Sequence, residues 1–175
     1  MNYSGGNTSE SRLKVKILRN AKIVTYPFLD YFKGFEKVEA VRRIFGERTE
    51  DVLNDLRVEY TSGRGYMGVS SEDGHIRISA NYLNNGDLVD IYLDIIHELI
   101  HVKQFMNGKE LFDRHYNYVD RPTEIEAFSH AVEEARNLGM NDRQILEYLK
   151  TERMGDENLK RLAKAVNVKF YKSSN

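Results

Sequence analysis

The chain contains no cysteine. That absence excludes a disulfide scaffold, a thiolate zinc finger, an iron–sulfur cluster and a cysteine nucleophile. Any transition-metal site must be built from histidine, aspartate and glutamate, and there are only 5 histidines. Charge of one sign is not in excess either: 26 basic residues stand against 27 acidic ones, a formal net charge of -1. No global electrostatic pull toward nucleic acid or an anionic membrane follows. No apolar run approaches the length of a membrane span, and residues 1–10 lack the apolar centre of a signal peptide. A cytoplasmic protein is the expectation, although a chain without cysteine tolerates either redox compartment.

What remains is a globular composition of 175 residues, 41% hydrophobic and 30% charged, enough for one domain with a sizeable core. Residues 1–11 are polar and small and read as a flexible tail. Residues 12–175 read as a single domain whose last part, from about 139, is helical. The stretch 12–26 alternates in places and carries Arg12, Lys14, Lys16, Arg19 and Lys22 with no acid. It is either a solvated edge strand guarded by lysine or a basic arm for nucleic acid.

Residues 28–45 read as an amphipathic helix stopped by Gly46, and Val52, Leu53 and Leu56 as a short helix or turn. Periodicity then changes to two. Residues 58–61, 66–70 and 75–80 read as three strands joined by two hairpin turns, at 62–65 and 71–74. Helical patterning follows at 88–107, 122–138, 142–150 and 157–166. The order of helix, small antiparallel or mixed sheet and C-terminal helices gives an α+β class. Gly63, Gly65 and Gly68 fit G-x-G-x-x-G, but a strand-like segment follows where a dinucleotide fold needs a helix. Positive φ in a tight turn explains them more economically.

The chemistry concentrates at His97-Glu98-Leu99-Ile100-His101, an HExxH pattern. Residues four apart on a helix lie one above the other, so two imidazoles can bind one metal ion with Glu98 beside its water. Asp87 reads as the N-cap and Gly108 as the C′ residue. A narrow polar stripe of Asp90, Asp94, His97, His101 and Gln104, with Glu98 at its edge, runs along an otherwise apolar helix. Such a stripe in an interior is costly unless paired or coordinated. A catalytic zinc takes three protein ligands and leaves one position open. For the third ligand the helix beginning at Pro122 supplies Glu124 and Glu126. Glu124 flanks the apolar face of Ile125, Phe128, Val132 and Ala135 and is favoured. Glu126 is the alternative, and His115 a weaker one.

These residues resemble the zincin metallopeptidases of the glutamate-zincin branch, including minimal gluzincins and the ImmA/IrrE-type and HtpX-type peptidases. The resemblance spans about residues 58–135 and rests on the HExxH helix followed by Glu124-Ile125-Glu126-Ala127. It implies a zincin-like fold, one Zn2+, and hydrolysis of a peptide or protein substrate. It also implies that Glu124, the first residue of the E-x-x-A pattern, is the ligand. Phe128 stands where those families often carry Asp or Asn, and Ile100 where they carry a small residue. The expected function is a zinc-dependent metallopeptidase with Glu98 as general base and Tyr118, less strongly Tyr116 or His115, as oxyanion donor. The alternative is a catalytically weak or inactive metal-binding, peptide-binding or regulatory module on the same fold. In the zincins substrate pairs with an edge strand, for which 75–80 is the candidate, with His75 and Arg77 tuning specificity. Asp94 is the candidate to orient a ligand histidine.

Overall fold

The computed structural model describes residues 23–63, 65–151 and 154–171. The expected tail at 1–11 and the basic residues Arg12, Lys14, Lys16, Arg19 and Lys22 lie outside this range. Within it the chain is α+β, with four short strands and eight α-helices among the described residues. No helix there is long and apolar enough to cross a membrane.

The chain runs from β1 (Thr25–Pro27) into α1 (Phe28–Tyr31), α2 (Glu39–Phe45) and α3 (Thr49–Asp55). The single helix expected over 28–45 is broken. Gly34 takes φ 92 and Val38 is extended, so the chain turns twice before α2 begins. The break brings Phe28, Phe32, Val41, Ile44 and Leu53 into one core. Gly46, at φ 62, ends α2 as its sequence position implies.

Strands β2 (Arg57–Thr61), β3 (Met67–Val69) and β4 (Ile76–Ser79) follow, in the sheet order β1-β2-β4-β3. Three expectations fail here. The link at 62–65 is not a hairpin turn, because β4 lies between β2 and β3 and pairs with β2 in parallel. Gly63, Gly65 and Gly68 accordingly take no positive φ. The second link is a hairpin. Ser70 N–H donates to His75 O and Gly74 N–H to Ser70 O, with Gly74 at φ 77. The segment 75–80 is therefore central, and β3 is the edge among the described residues. Burial explains the choice. Ile76 and Ile78 point inward and are 0% exposed, and β4 needs a neighbour on each side to keep such a strand dry. Val58, Ile76 and Val69 form one buried row across the sheet.

Ser79 Oγ caps the short helix α4 (Ala80–Asn85), a helix that turn-like residues at 81–87 conceal in the sequence. Helix α5 (Leu88–Met106) is capped by Asp87, whose Oδ1 accepts from Val89 N–H at 2.8 Å and Asp90 N–H at 3.1 Å, a device worth about 1 kcal/mol. Gly108, at φ 71, follows its C-cap. Ile95, Ile96, Leu99 and Ile100 press one side of α5 onto the sheet core. Leu93 enters a second core made by α6 (Pro122–Asn137), α7 (Asp142–Leu149) and α8 (Asp156–Ala165). Leu146, Leu149, Leu159, Leu162 and Ala163 are buried there, so these helices pack where helical spacing places them. Helix α5 is thus enclosed on two sides; His97, Glu98, His101 and Gln104 of its polar stripe are buried, and Asp90 and Asp94 are half-buried.

Candidate metal centre

Helix α5 places His97 and His101 one turn apart, and α6 lays its first turn across them. His97 Nε2 and His101 Nε2 are 3.0 Å apart, and Glu124 Oε2 is 3.3 Å from each. All three residues are buried, and their donor atoms converge closely enough to hold one ion. Donors about 2.0–2.1 Å from one tetrahedral ion lie about 3.3 Å apart, so the triangle has the size of a zinc site. Two histidines and a carboxylate form one of the donor sets of catalytic zinc. The residues present fit the ion.

The Glu124 carboxylate is fixed from both sides. Its Oε1 faces the Arg121 guanidinium at 3.6 Å, leaving Oε2 for the two imidazoles. Burial acts to raise its pKa, but hydrogen bonds and charge from His101 and His97 outweigh it and hold the carboxyl down at about 2. Burial likewise acts against a charged imidazole. It lowers the pKa of His97, whereas for His101 the hydrogen bond and charge of Glu124, with Glu98 beside it, reverse the sign and raise it.

Gln104 is the orienting group that sequence reasoning left without a role. Its Oε1 accepts from His101 Nδ1 at 2.7 Å, and its Nε2 donates to Thr123 O at 3.0 Å and Glu126 Oε2 at 2.9 Å. The amide fixes the ring so that Nε2 faces the site. Its spacing of three from His101 on the polar stripe was the available signal. Asp94 does not serve this purpose. Both of its oxygens accept from tyrosine hydroxyls, Tyr82 at 2.6 Å and Tyr148 at 3.0 Å. His97 Nδ1 is buried with no hydrogen-bond partner, and the Phe128 ring packs at 4.3 Å from the His97 ring.

The other sequence candidates separate cleanly. Glu126 is not a member of the triangle, since Gln104 and Lys109 (2.8 Å) occupy its Oε2. His115 lies on the surface, its Nδ1 bonded to Asp113 at 2.7 Å. His75 is buried away from any edge, between Asp73 and Glu59, and Arg77 pairs with Glu59 at 3.0 Å. Tyr116 is exposed. Tyr118 does reach the site. It is 45% exposed overall, but burial of its hydroxyl end and the Glu124 and Glu98 carboxylates push its phenol pKa up.

Glu98 is buried, and its Oε2 has no hydrogen-bond partner. Burial pushes its pKa up to about 8; His101 opposes the rise, and Glu124 and Asp94 add to it. With His97, Tyr118 and Phe128 it borders a cavity of about 220 Å³. The arrangement offers three ligands, one unpaired carboxyl and one phenol around a small cavity. Comparison of the chain with protein-family models, curated proteins and solved structures finds no match.

Proposed function

We propose that the protein is a zinc-dependent metallopeptidase of zincin-like fold. The observation that carries the reading is the buried triangle of His97, His101 and Glu124 with the unpartnered Glu98 Oε2 next to it. Zinc held by these three residues supplies a Lewis acid that lowers the pKa of water toward neutrality. With the charge of a bound zinc offsetting the burial that raises its pKa, Glu98 would be ionised, and its Oε2 would accept the proton of the attacking water and return it to the amine nitrogen as the peptide C–N bond breaks. The hydroxyl stays on the acyl carbon and the proton leaves with the amine. Tyr118 donates its hydroxyl proton in a hydrogen bond to the substrate carbonyl oxygen. Among the described residues nothing pairs with the outer edge of β3, which offers backbone groups to an extended peptide.

A second reading draws on one observation. His97 Nδ1 has no acceptor and lies near Phe128, which favours a catalytically weak metal- or peptide-binding module. Metal analysis and peptide hydrolysis on the same preparations decide. The peptidase reading expects one zinc per chain, lost in His97→Ala and Glu124→Ala, and hydrolysis that Glu98→Gln abolishes while retaining the zinc. Zinc retained with no hydrolysis for Glu98→Gln to remove selects the second reading. Full zinc retention in Glu124→Ala refutes the ligand set.

A further inference from the structure

The way out of the metal centre is lined with rings. Tyr66, which precedes β3, and Tyr82 of α4 stand edge to face, with centroids 4.8 Å apart and planes at 89°. Tyr118, in the turn before α6, and Phe128 of α6 form a second such pair, at 6.2 Å and 89°. All four rings border the cavity that His97 and Glu98 line. Tyr66, Tyr82 and Tyr118 also line an adjoining cleft of about 1090 Å³. The rest of its described lining is serine, threonine, asparagine and glycine, with no charged and no aliphatic side chain among the described residues.

The Tyr66–Tyr82 corner is fixed before anything binds. The Tyr82 hydroxyl donates to Asp94 Oδ2 at 2.6 Å, which anchors the far end of the ring. Gly86 anchors its side. A Cβ there would stand 2.6 Å from the Tyr82 ring and 2.8 Å from Tyr82 O, so the ring lies against bare backbone. Gly86 takes φ -71, and its lack of a side chain serves this close approach rather than a left-handed turn. Tyr66 meets the fixed ring at a right angle and is 45% exposed. A rigid, exposed ring gives contact area at little cost in conformational entropy.

We infer that this corner is the subsite for an aromatic side chain of the peptide substrate, next to the scissile bond; the inference rests on the peptidase reading. Two rings at a right angle present a face and an edge, and the edge is the positive part of the quadrupole. A third ring meets both, its edge on the face and its face on the edge. A cation is drawn to faces alone, and an aliphatic side chain gains only the area it buries. The wide cleft agrees, since no described side chain in its lining pairs with an acidic or basic substrate residue. Continuity sets the position. The same three tyrosines border the metal-centre cavity and the cleft, so a peptide running from one to the other passes over them.

The test is a nuclear magnetic resonance titration of the full chain carrying Glu98→Gln, in zinc-containing buffer, once its spectrum shows the dispersion of the unsubstituted chain. The probes are an end-capped five-residue alanine peptide with a central phenylalanine and the same peptide with leucine, which is about as apolar but has no ring. The expected result is about tenfold tighter binding of the phenylalanine peptide, with nuclear Overhauser contacts from its ring to the Tyr66 and Tyr82 rings. Adding Tyr66→Phe, which keeps the ring, keeps the preference, and adding Tyr66→Leu lowers it below about threefold. Equal affinities, no binding of either peptide at millimolar concentration, or a tenfold preference retained in Tyr66→Leu overturns the subsite. Aromatic preference in a protein whose unsubstituted form cleaves neither peptide removes the peptidase reading and keeps the corner as a peptide-binding site. Cleavage of both peptides at equal kcat/KM does the reverse.

Discussion

Replacing Asp94 by Asn should stabilise the protein, and the gain should depend on pH in a defined direction. Burial raises the Asp94 pKa from an ordinary 3.8 to about 6; the Tyr82 and Tyr148 hydrogen bonds oppose that rise, and Asp90 adds to it. A gap of about two pH units between folded and unfolded states corresponds to about 3 kcal/mol. Between pH 4 and 6 the folded chain holds the Asp94 proton more often than the unfolded chain does. Its stability contribution is therefore full below about pH 4, declines as pH rises through 6, and stays low above that. Asn cannot ionise. Its carbonyl accepts from one tyrosine and its amide donates to the other, so both phenols keep a partner. In thermal unfolding of chelator-treated protein at pH 7.5, Asp94→Asn should melt about 6–12 °C above the unsubstituted chain. At pH 4 the two should nearly coincide. An equal gap at both pH values, or a lower melting temperature for the variant at pH 7.5, would refute the buried-charge account of this residue.

Gln104→Ala should weaken zinc binding by about 10–100-fold, measured by competition with a chromophoric chelator, because His101 loses the acceptor that aims its ring. Glu126→Ala should keep one zinc per chain and lower stability by about 1 kcal/mol or less, since its ion pair with Lys109 is partly exposed; loss of zinc in this variant would restore Glu126 as a ligand. Gly74→Ala should cost about 1–3 kcal/mol in urea unfolding, because φ is 77 and a Cβ would stand 2.5 Å from the Phe105 ring. An unchanged midpoint would show that the β3–β4 turn relaxes freely.

The elements that could be read in the sequence are those whose signals are local. Asp87, Gly108 and Pro122 mark the ends of α5 and α6 because caps are satisfied by side chains within a few residues of them. The break at Gly34 and the short helix α4 escaped, since each depends on what the flanking segments bury. Strand order escaped for a related reason. Alternation announces that 58–61, 66–70 and 75–80 are strands, but not which of them is central. The inward faces of Val58, Ile76 and Val69 decided that by sharing one core.

At the centre itself, zero cysteines and the HExxH spacing determined the kind of donor and placed two imidazoles and Glu98 on one helix face. Helical geometry is local, so the sequence alone carries that much. The helical face already favoured Glu124 over Glu126, but its meeting with the two imidazoles, the role of Gln104 in place of Asp94, and the diversion of Asp94 to two tyrosines were decided by tertiary structure. Each of these depends on how α5, α6, α4 and α7 meet. A residue's chemical type is written in the chain, but the partner that sets its charge and direction arrives from a distant segment only when the core closes.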